Sequence, residues 1–262
     1  MDSPTRLRPL LITYYLLLIH NFLGLAGIIN SMLLALDTAT TTASLAVYDL
    51  VAQQLLAELT WQARRRQTQD LLVTAQQLLA QLDLTPQDLT ALAVTTGPGS
   101  FTGVRIAISA VKGIGLGLPV VPQVVGVPTL CVTAAPWLLL ASRTNPPTTV
   151  CAFIQAGRGR YNWTFFTDGD LLRRPTALEH HSGTETEFGQ ALAHMTSQGI
   201  WLIGELDRAL EKVMHDLAHV TVIDAVSSWR RAGSLARVAA LHLAHGTHDE
   251  LHTLQPLYLR AP

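Results

Sequence analysis

A chain of 262 residues that is 48% hydrophobic and 14% charged has the material for a sizeable core, in one large domain or two subdomains, and is not intrinsically disordered. A formal net charge of −1 without a long basic run argues against tight, independent nucleic-acid binding; Arg64-Arg65-Arg66 is one small basic cluster. Cys131 and Cys151, each inside an apolar run, argue against a disulfide framework and fit a reducing cytoplasm.

Residues 10–29 form a mostly apolar stretch behind Arg6 and Arg8, long enough to span a membrane. No small-x-small cleavage site closes it as a signal peptide would. His20 and Asn21 are costly near the centre of a membrane helix. Met32 stands directly before a strand-like run, so residues 1–31 read as an N-terminal extension, either an artefact of the assigned start or an anchor.

Residues 33–36 read as a buried strand that ends in Asp37-Thr38-Ala39-Thr40-Thr41-Thr42, a turn rich in hydroxyls. Residues 43–48 and 55–61 complete a three-stranded antiparallel meander. Leu71, Leu72, Ala75, Leu78, Leu79 and Leu82 recur at helical spacing, which predicts an amphipathic helix over 68–82. Thr85-Pro86-Gln87-Asp88 looks like a capping box opening a short helix. A strand over 91–95 then meets Thr96-Gly97-Pro98-Gly99-Ser100-Phe101-Thr102-Gly103-Val104-Arg105. Its glycines and proline make a turn of little bulk, and Ser100 and Thr102 are placed to cap a helix over 105–117. A strand over 120–125 follows, and Pro128-Thr129 starts another helix that Pro136 should interrupt.

The polar, proline-containing stretch 143–149 reads as a subdomain boundary. Beyond it, strands over 150–155 and 161–167 flank Gly157-Arg158-Gly159-Arg160 as a hairpin. A helix over 185–197, a strand over 200–203, a helix over 206–217, a strand over 220–223 and a final helix around 235–243 complete the chain. Two sets of antiparallel strands that each feed αβ units suggest a duplicated α/β architecture. Subdomain I is then 32–142 with 229–262, and subdomain II is 143–228.

Three chemical readings compete. Asp37, Thr38 and Thr40, with Gly99 and Ser100 of the glycine loop, could bind a nucleotide: hydroxyls and N–H groups donate to phosphate while the carboxylate orients hydrated Mg²⁺. The alternative is an ordinary turn whose aspartate caps backbone. The loop matches neither the Walker A pattern nor G-x-G-x-x-G, and Ser100 is not in a G-x-S-x-G elbow. His242, His245 and His248 are spaced for metal ligation, but nothing completes a site. They read instead as the solvated end of a terminal helix.

Leu34-Ala35-Leu36-Asp37-Thr38-Ala39-Thr40, Gly97-Pro98-Gly99-Ser100-Phe101-Thr102-Gly103-Val104-Arg105 and Pro256-Leu257-Tyr258-Leu259-Arg260 together resemble the TsaB (YeaZ-like) family, which serves threonylcarbamoyladenosine formation in bacterial tRNA. The resemblance covers essentially residues 32–260. It implies an actin/Hsp70/sugar-kinase-like (ASKHA) fold of two α/β subdomains. It also implies a non-catalytic, cytoplasmic subunit that dimerises with a TsaD-like catalytic subunit, cooperates with a TsaE-like ATPase and meets tRNA through the complex. A homodimer in isolation is a further expectation. No cofactor of its own is implied beyond ATP or ADP with Mg²⁺ at a shared interface. The helix over 68–82 lacks histidine, Gln67-Thr68-Gln69 stands where the family often has His-Thr/Ser, and Gln155 replaces a usual aspartate. Leu71, Leu72, Ala75, Phe101, Val104, Arg105, Ile108 and Val111 are the candidates for partner binding. An ATP-binding phosphotransferase and a glycoprotease-like peptidase are the alternatives.

Overall fold

Five strands form the first sheet: β1 (Met32–Asp37), β2 (Thr42–Asp49), β3 (Gln54–Gln62), β4 (Leu89–Thr95) and β5 (Gln123–Val127). The computed structural model describes residues 31–63, 66–195, 199–214, 217–257 and 259. The N-terminal reading, Arg64 and Arg65 lie outside the described residues. The sheet has the order β3-β2-β1-β4-β5. β1 and β2, and β2 and β3, are antiparallel, as the meander predicts, whereas β1, β4 and β5 run parallel. β1 is buried along its whole length, the continuous apolar run expected of a central strand covered on both faces.

The pleat sorts large side chains from small ones. Leu34, Leu36, Leu45, Val47, Leu92 and Val94 share one core with α1 (Gln67–Gln81) and α2 (Phe101–Gly117). Leu33, Ala35, Ala46, Ala91 and Ala93 face a second core with α3 (Thr129–Ala141) and α6 (Ala232–Ala244). Alanine on four of those five positions leaves room for helices to sit close to the strands.

The second sheet comprises β6 (Thr149–Gly157), β7 (Arg160–Phe166), β8 (His181–Thr184), β9 (Ile200–Ile203) and β10 (Val220–Val222), in the order β10-β9-β6-β7-β8. β6, β7 and β8 form an antiparallel meander, and β6, β9 and β10 are parallel. The strand order and directions of the first sheet are thus repeated. Ala152, Ile154 and Phe166 join the core around α3. On the other face Phe153, Tyr161 and Trp163 surround Phe188 of α4 (Glu185–Ala193), next to Leu210 of α5 (Arg208–Met214).

Three expectations change. α2 begins at Phe101, four residues earlier than its apolar pattern, because the Ser100 hydroxyl accepts the Gly103 N–H at 3.1 Å and caps the first turn. β5 starts at Gln123, since Pro119 and Pro122 break the ladder and leave Val120 and Val121 exposed. α3 runs through Pro136 without interruption. Packing between two sheets outweighs a penalty of about 3 kcal/mol for an interior proline.

Candidate functional site

The two sheets are joined through a polar network at Asp37. This residue ends β1 and is 1% exposed. Its Oδ1 accepts the Ala39 N–H and the Thr95 hydroxyl, each at 2.8 Å. Arg230, itself buried, donates Nε–H to Oδ2 and reaches Oδ1 and the Thr40 hydroxyl oxygen from Nη2 at 3.4 and 3.3 Å. Thr40 in turn donates to Glu205 Oε1 at 2.8 Å, and Glu205 follows β9 of the second sheet. One network therefore ties the first turn of sheet one to the end of a strand in sheet two and to the segment entering α6.

This geometry answers the nucleotide reading at Asp37. Both carboxylate oxygens are engaged and the charge is neutralised by a buried guanidinium, so a hydrated Mg²⁺ would have to displace Arg230. Thr38 is equally committed, its hydroxyl donating to the Gly103 carbonyl at 2.7 Å. Gly99 and Gly103 press on the same turn: a Cβ would stand 2.4 Å from the Ala39 carbonyl oxygen at Gly99, and 2.0 Å from that of Thr38 at Gly103. The Ser100 N–H donates to the Ala39 carbonyl at 2.7 Å. The structure brings Asp37, Thr38, Thr40, Gly99 and Ser100 together, as the reading requires, but packs them on one another rather than around a phosphate. The residues present do not fit Mg·nucleotide at Asp37.

Sequence reasoning missed Arg230 and Glu205. Neither arginine of Ser-Ser-Trp-Arg-Arg carries a local signal for a carboxylate at position 37. His245 and His248 are exposed, as the solvated-end reading expects, but that reading is corrected at His242. His242 is buried in the core rather than at a solvated end, where burial holds its imidazole below the ordinary 6.5. Among the described residues no cluster of histidine, cysteine and carboxylates could hold a metal. Cys131 and Cys151 are buried free thiols, the former pushed up to about 12 by burial. No helix among the described residues is long and apolar enough to cross a membrane.

A second feature lies on the opposite face of sheet one. α1 and α2 leave a cavity of about 460 Å³ between them, lined by Thr68, Leu71, Leu72, Phe101, Thr102, Arg105, Ile106, Ser109 and Ala110. Phe101 and Leu72 are 59% and 50% exposed, a large apolar contribution for neighbouring helices. Arg105 lies over the Phe101 ring, 3.5 Å from its centroid, holding the aromatic in place. Of the eight residues expected to bind a partner, Leu72, Phe101 and Arg105 line this groove at the surface. Leu71, Ala75, Val104, Ile108 and Val111 are buried in the core beneath it, with Leu71 forming part of the groove floor. Helical spacing alone cannot separate the buried stripe from an exposed apolar stripe beside it.

The sequence profile of the family described as "TsaD: tRNA N6-adenosine threonylcarbamoyltransferase" matches residues 60–189. The tRNA threonylcarbamoyladenosine biosynthesis protein TsaB of Escherichia coli (strain K12) is 33% identical over 232 residues, covering 87% of this chain and 94% of that protein. TsaB of Buchnera aphidicola subsp. Schizaphis graminum is 28% identical over 158 residues, 60% of this chain and 68% of that protein. The solved structure of YeaZ from Pseudomonas aeruginosa superposes with a TM-score of 0.69 at 25% identity, covering 87% of this chain and 99% of that one. Its likeness and the twice-repeated sheet give the actin/Hsp70/sugar-kinase-like class. Shared sequence over nearly the whole Escherichia coli protein, together with the YeaZ fold, places the chain in the TsaB family of tRNA threonylcarbamoyladenosine biosynthesis proteins.

Proposed function

We propose that the chain is a non-catalytic, cytoplasmic subunit of the machinery that forms threonylcarbamoyladenosine in tRNA, and that it docks through the α1–α2 groove onto a TsaD-like subunit that carries out the transfer. A TsaE-like ATPase is the further partner, and tRNA is reached through the complex. The observation that supports this reading most is the apolar groove with Phe101 and Leu72 at its surface. Two neighbouring helices with an exposed aromatic and aliphatic pair are suited to receive helices of a partner, with Arg105 at the polar rim. The saturated Asp37 carboxylate supports a positioning role over a phosphotransferase.

Leu72→Asp and Phe101→Asp alter side chains that are half or more exposed, so each variant should keep a melting temperature close to the parent's. Co-purification with the TsaD-like subunit should fall at least about tenfold, while Leu178→Asp, remote from the groove, should leave it unchanged. Complex formation retained by both groove variants would remove this reading. Isothermal titration of the isolated protein with Mg·ATP should give no saturable heat; tight saturable binding would favour the phosphotransferase alternative.

A further inference from the structure

The opposite side of the molecule carries a second groove that the docking reading does not use. It runs between the β2–β3 hairpin and α6, with a volume of about 810 Å³. Leu50, Leu55, Leu241 and Leu243 provide apolar walls, and Arg231 and Arg237 stand at its rim. Leu50 and Leu243 pack against the core shared by α3 and α6, whereas α1 and α2 belong to the core on the other face of the sheet. The two grooves therefore lie on opposite faces of sheet one.

Positive charge outweighs negative in this groove, two arginines to one glutamate. Glu58 is its lone carboxylate, and that side chain is taken up internally, with Oε2 accepting the Gly233 N–H at 3.0 Å and Oε1 facing the Thr60 hydroxyl. Gly233 is what allows this approach, since a Cβ there would stand 2.3 Å from Glu58 Oε2 and 3.0 Å from Leu55. The first N–H groups of α6 are likewise occupied, that of Ala232 donating to the Ser44 hydroxyl oxygen at 2.8 Å. Arg231 and Arg237 are both exposed, and among the described residues neither guanidinium has an ion-pair or hydrogen-bond partner. An apolar trough edged by two arginines without a direct partner, and holding one carboxylate against those two cations, complements an anion with an apolar face.

We infer that this groove receives an acidic amphipathic helix from another protein. The two arginines are six residues apart on or at the start of α6, about 9 Å along its axis. Carboxylates at i and i+7 of a helix lying beside α6 are about 10 Å apart and match that interval. The intervening i+3 and i+4 side chains of the partner then fall against Leu55 and Leu241. The arginines govern capture and orientation and the leucines supply the buried area.

The test uses the full chain with two synthetic 16-residue peptides that share leucines at i+3 and i+4 but carry either glutamate or lysine at i and i+7. Fluorescence anisotropy should show saturable binding of the glutamate peptide, at least about tenfold tighter than the lysine peptide and weaker at high salt. Amide shifts should centre on Arg237 and Leu241. Arg231→Glu/Arg237→Glu, both changes in solvent, should keep the parent melting temperature and reverse the preference. Equal affinity for the two peptides, no saturable binding of either, or a preference unmoved by charge reversal would overturn the inference. So would a concentration-dependent doubling of mass that the double variant abolishes, since a second copy would then occupy the groove. Recovery of the TsaD-like subunit by the same variant should be undiminished, which keeps failure here distinct from failure of the α1–α2 docking reading.

Discussion

The two sheets share one strand order, yet they treat the turn after their first strand in opposite ways. In sheet one that turn is roofed over. Asp37 is buried with it, and Gly99 and Gly103 are in contact with its carbonyls. In sheet two the equivalent turn is open. Gly157, Arg158 and Gly159 all have positive φ, and a Cβ at either glycine would meet nothing within 4 Å. Gln155 remains in solvent and donates to Asp207 at 2.9 Å. The shared device lies elsewhere: at Gly204, after β9, a Cβ would stand 2.3 Å from the Phe153 carbonyl oxygen. Equal topology therefore leaves burial undetermined. A carboxylate enclosed by the fold needs an enclosed cation, so sheet one recruits Arg230, whereas the solvent-facing turn needs none.

Removing the enclosed cation should break the comparison most severely. Arg230→Ala leaves Asp37 buried without its charge partner and should cost about 4 kcal/mol of stability in urea unfolding. Asp37→Asn/Arg230→Met should recover part of it. A double variant no more stable than Arg230→Ala would show that the unpaired buried charge is not the source of the loss.

The roof is the next target. Gly103→Ala places a methyl group 2.0 Å from the Thr38 carbonyl oxygen and should cost about 3 kcal/mol. Gly113→Ala, in the same helix with open space around it, should instead stabilise by about 0.8 kcal/mol. Similar melting temperatures for these two variants would mean that the close approach of loop and turn is unimportant.

The smallest effect is a pH dependence carried by both lobes. Burial holds His180, just before β8, and His242, on α6, below 6.5. The unfolded chain then takes up protons first as the pH falls. Stability from these neutral imidazoles is complete above 6.5 and is lost progressively below it, toward their folded values. Melting temperatures at pH 7.5 and 5.5 should differ less in His180→Gln and His242→Gln than in the parent. An unchanged difference in both variants would rule these histidines out as its source.

Much of the fold was legible in residue order. Periodicity located α1 and the meander, and the duplication was visible as two strand groups that each feed αβ units. Boundaries moved where chemistry acts across a few residues, as at the Ser100 cap and the Pro122 break. β8 was missed because His181-Ser182-Gly183-Thr184 has neither alternation nor β-branched bulk beyond one threonine; pairing with β7 makes it a strand. The eight partner-binding candidates fall on two helices, and only burial separates three at the surface from five in the core.

What the sequence determined by itself is local and periodic: which segments are strands and helices, where the glycine loop turns, and the family motifs. The partner of a buried charge was decided only by the tertiary structure, because Asp37 and Arg230 are 193 residues apart and no short-range rule links them. The same holds for the two grooves. An apolar stripe signals that a helix has something to cover, but only packing decides whether the rest of the chain covers it or leaves it open.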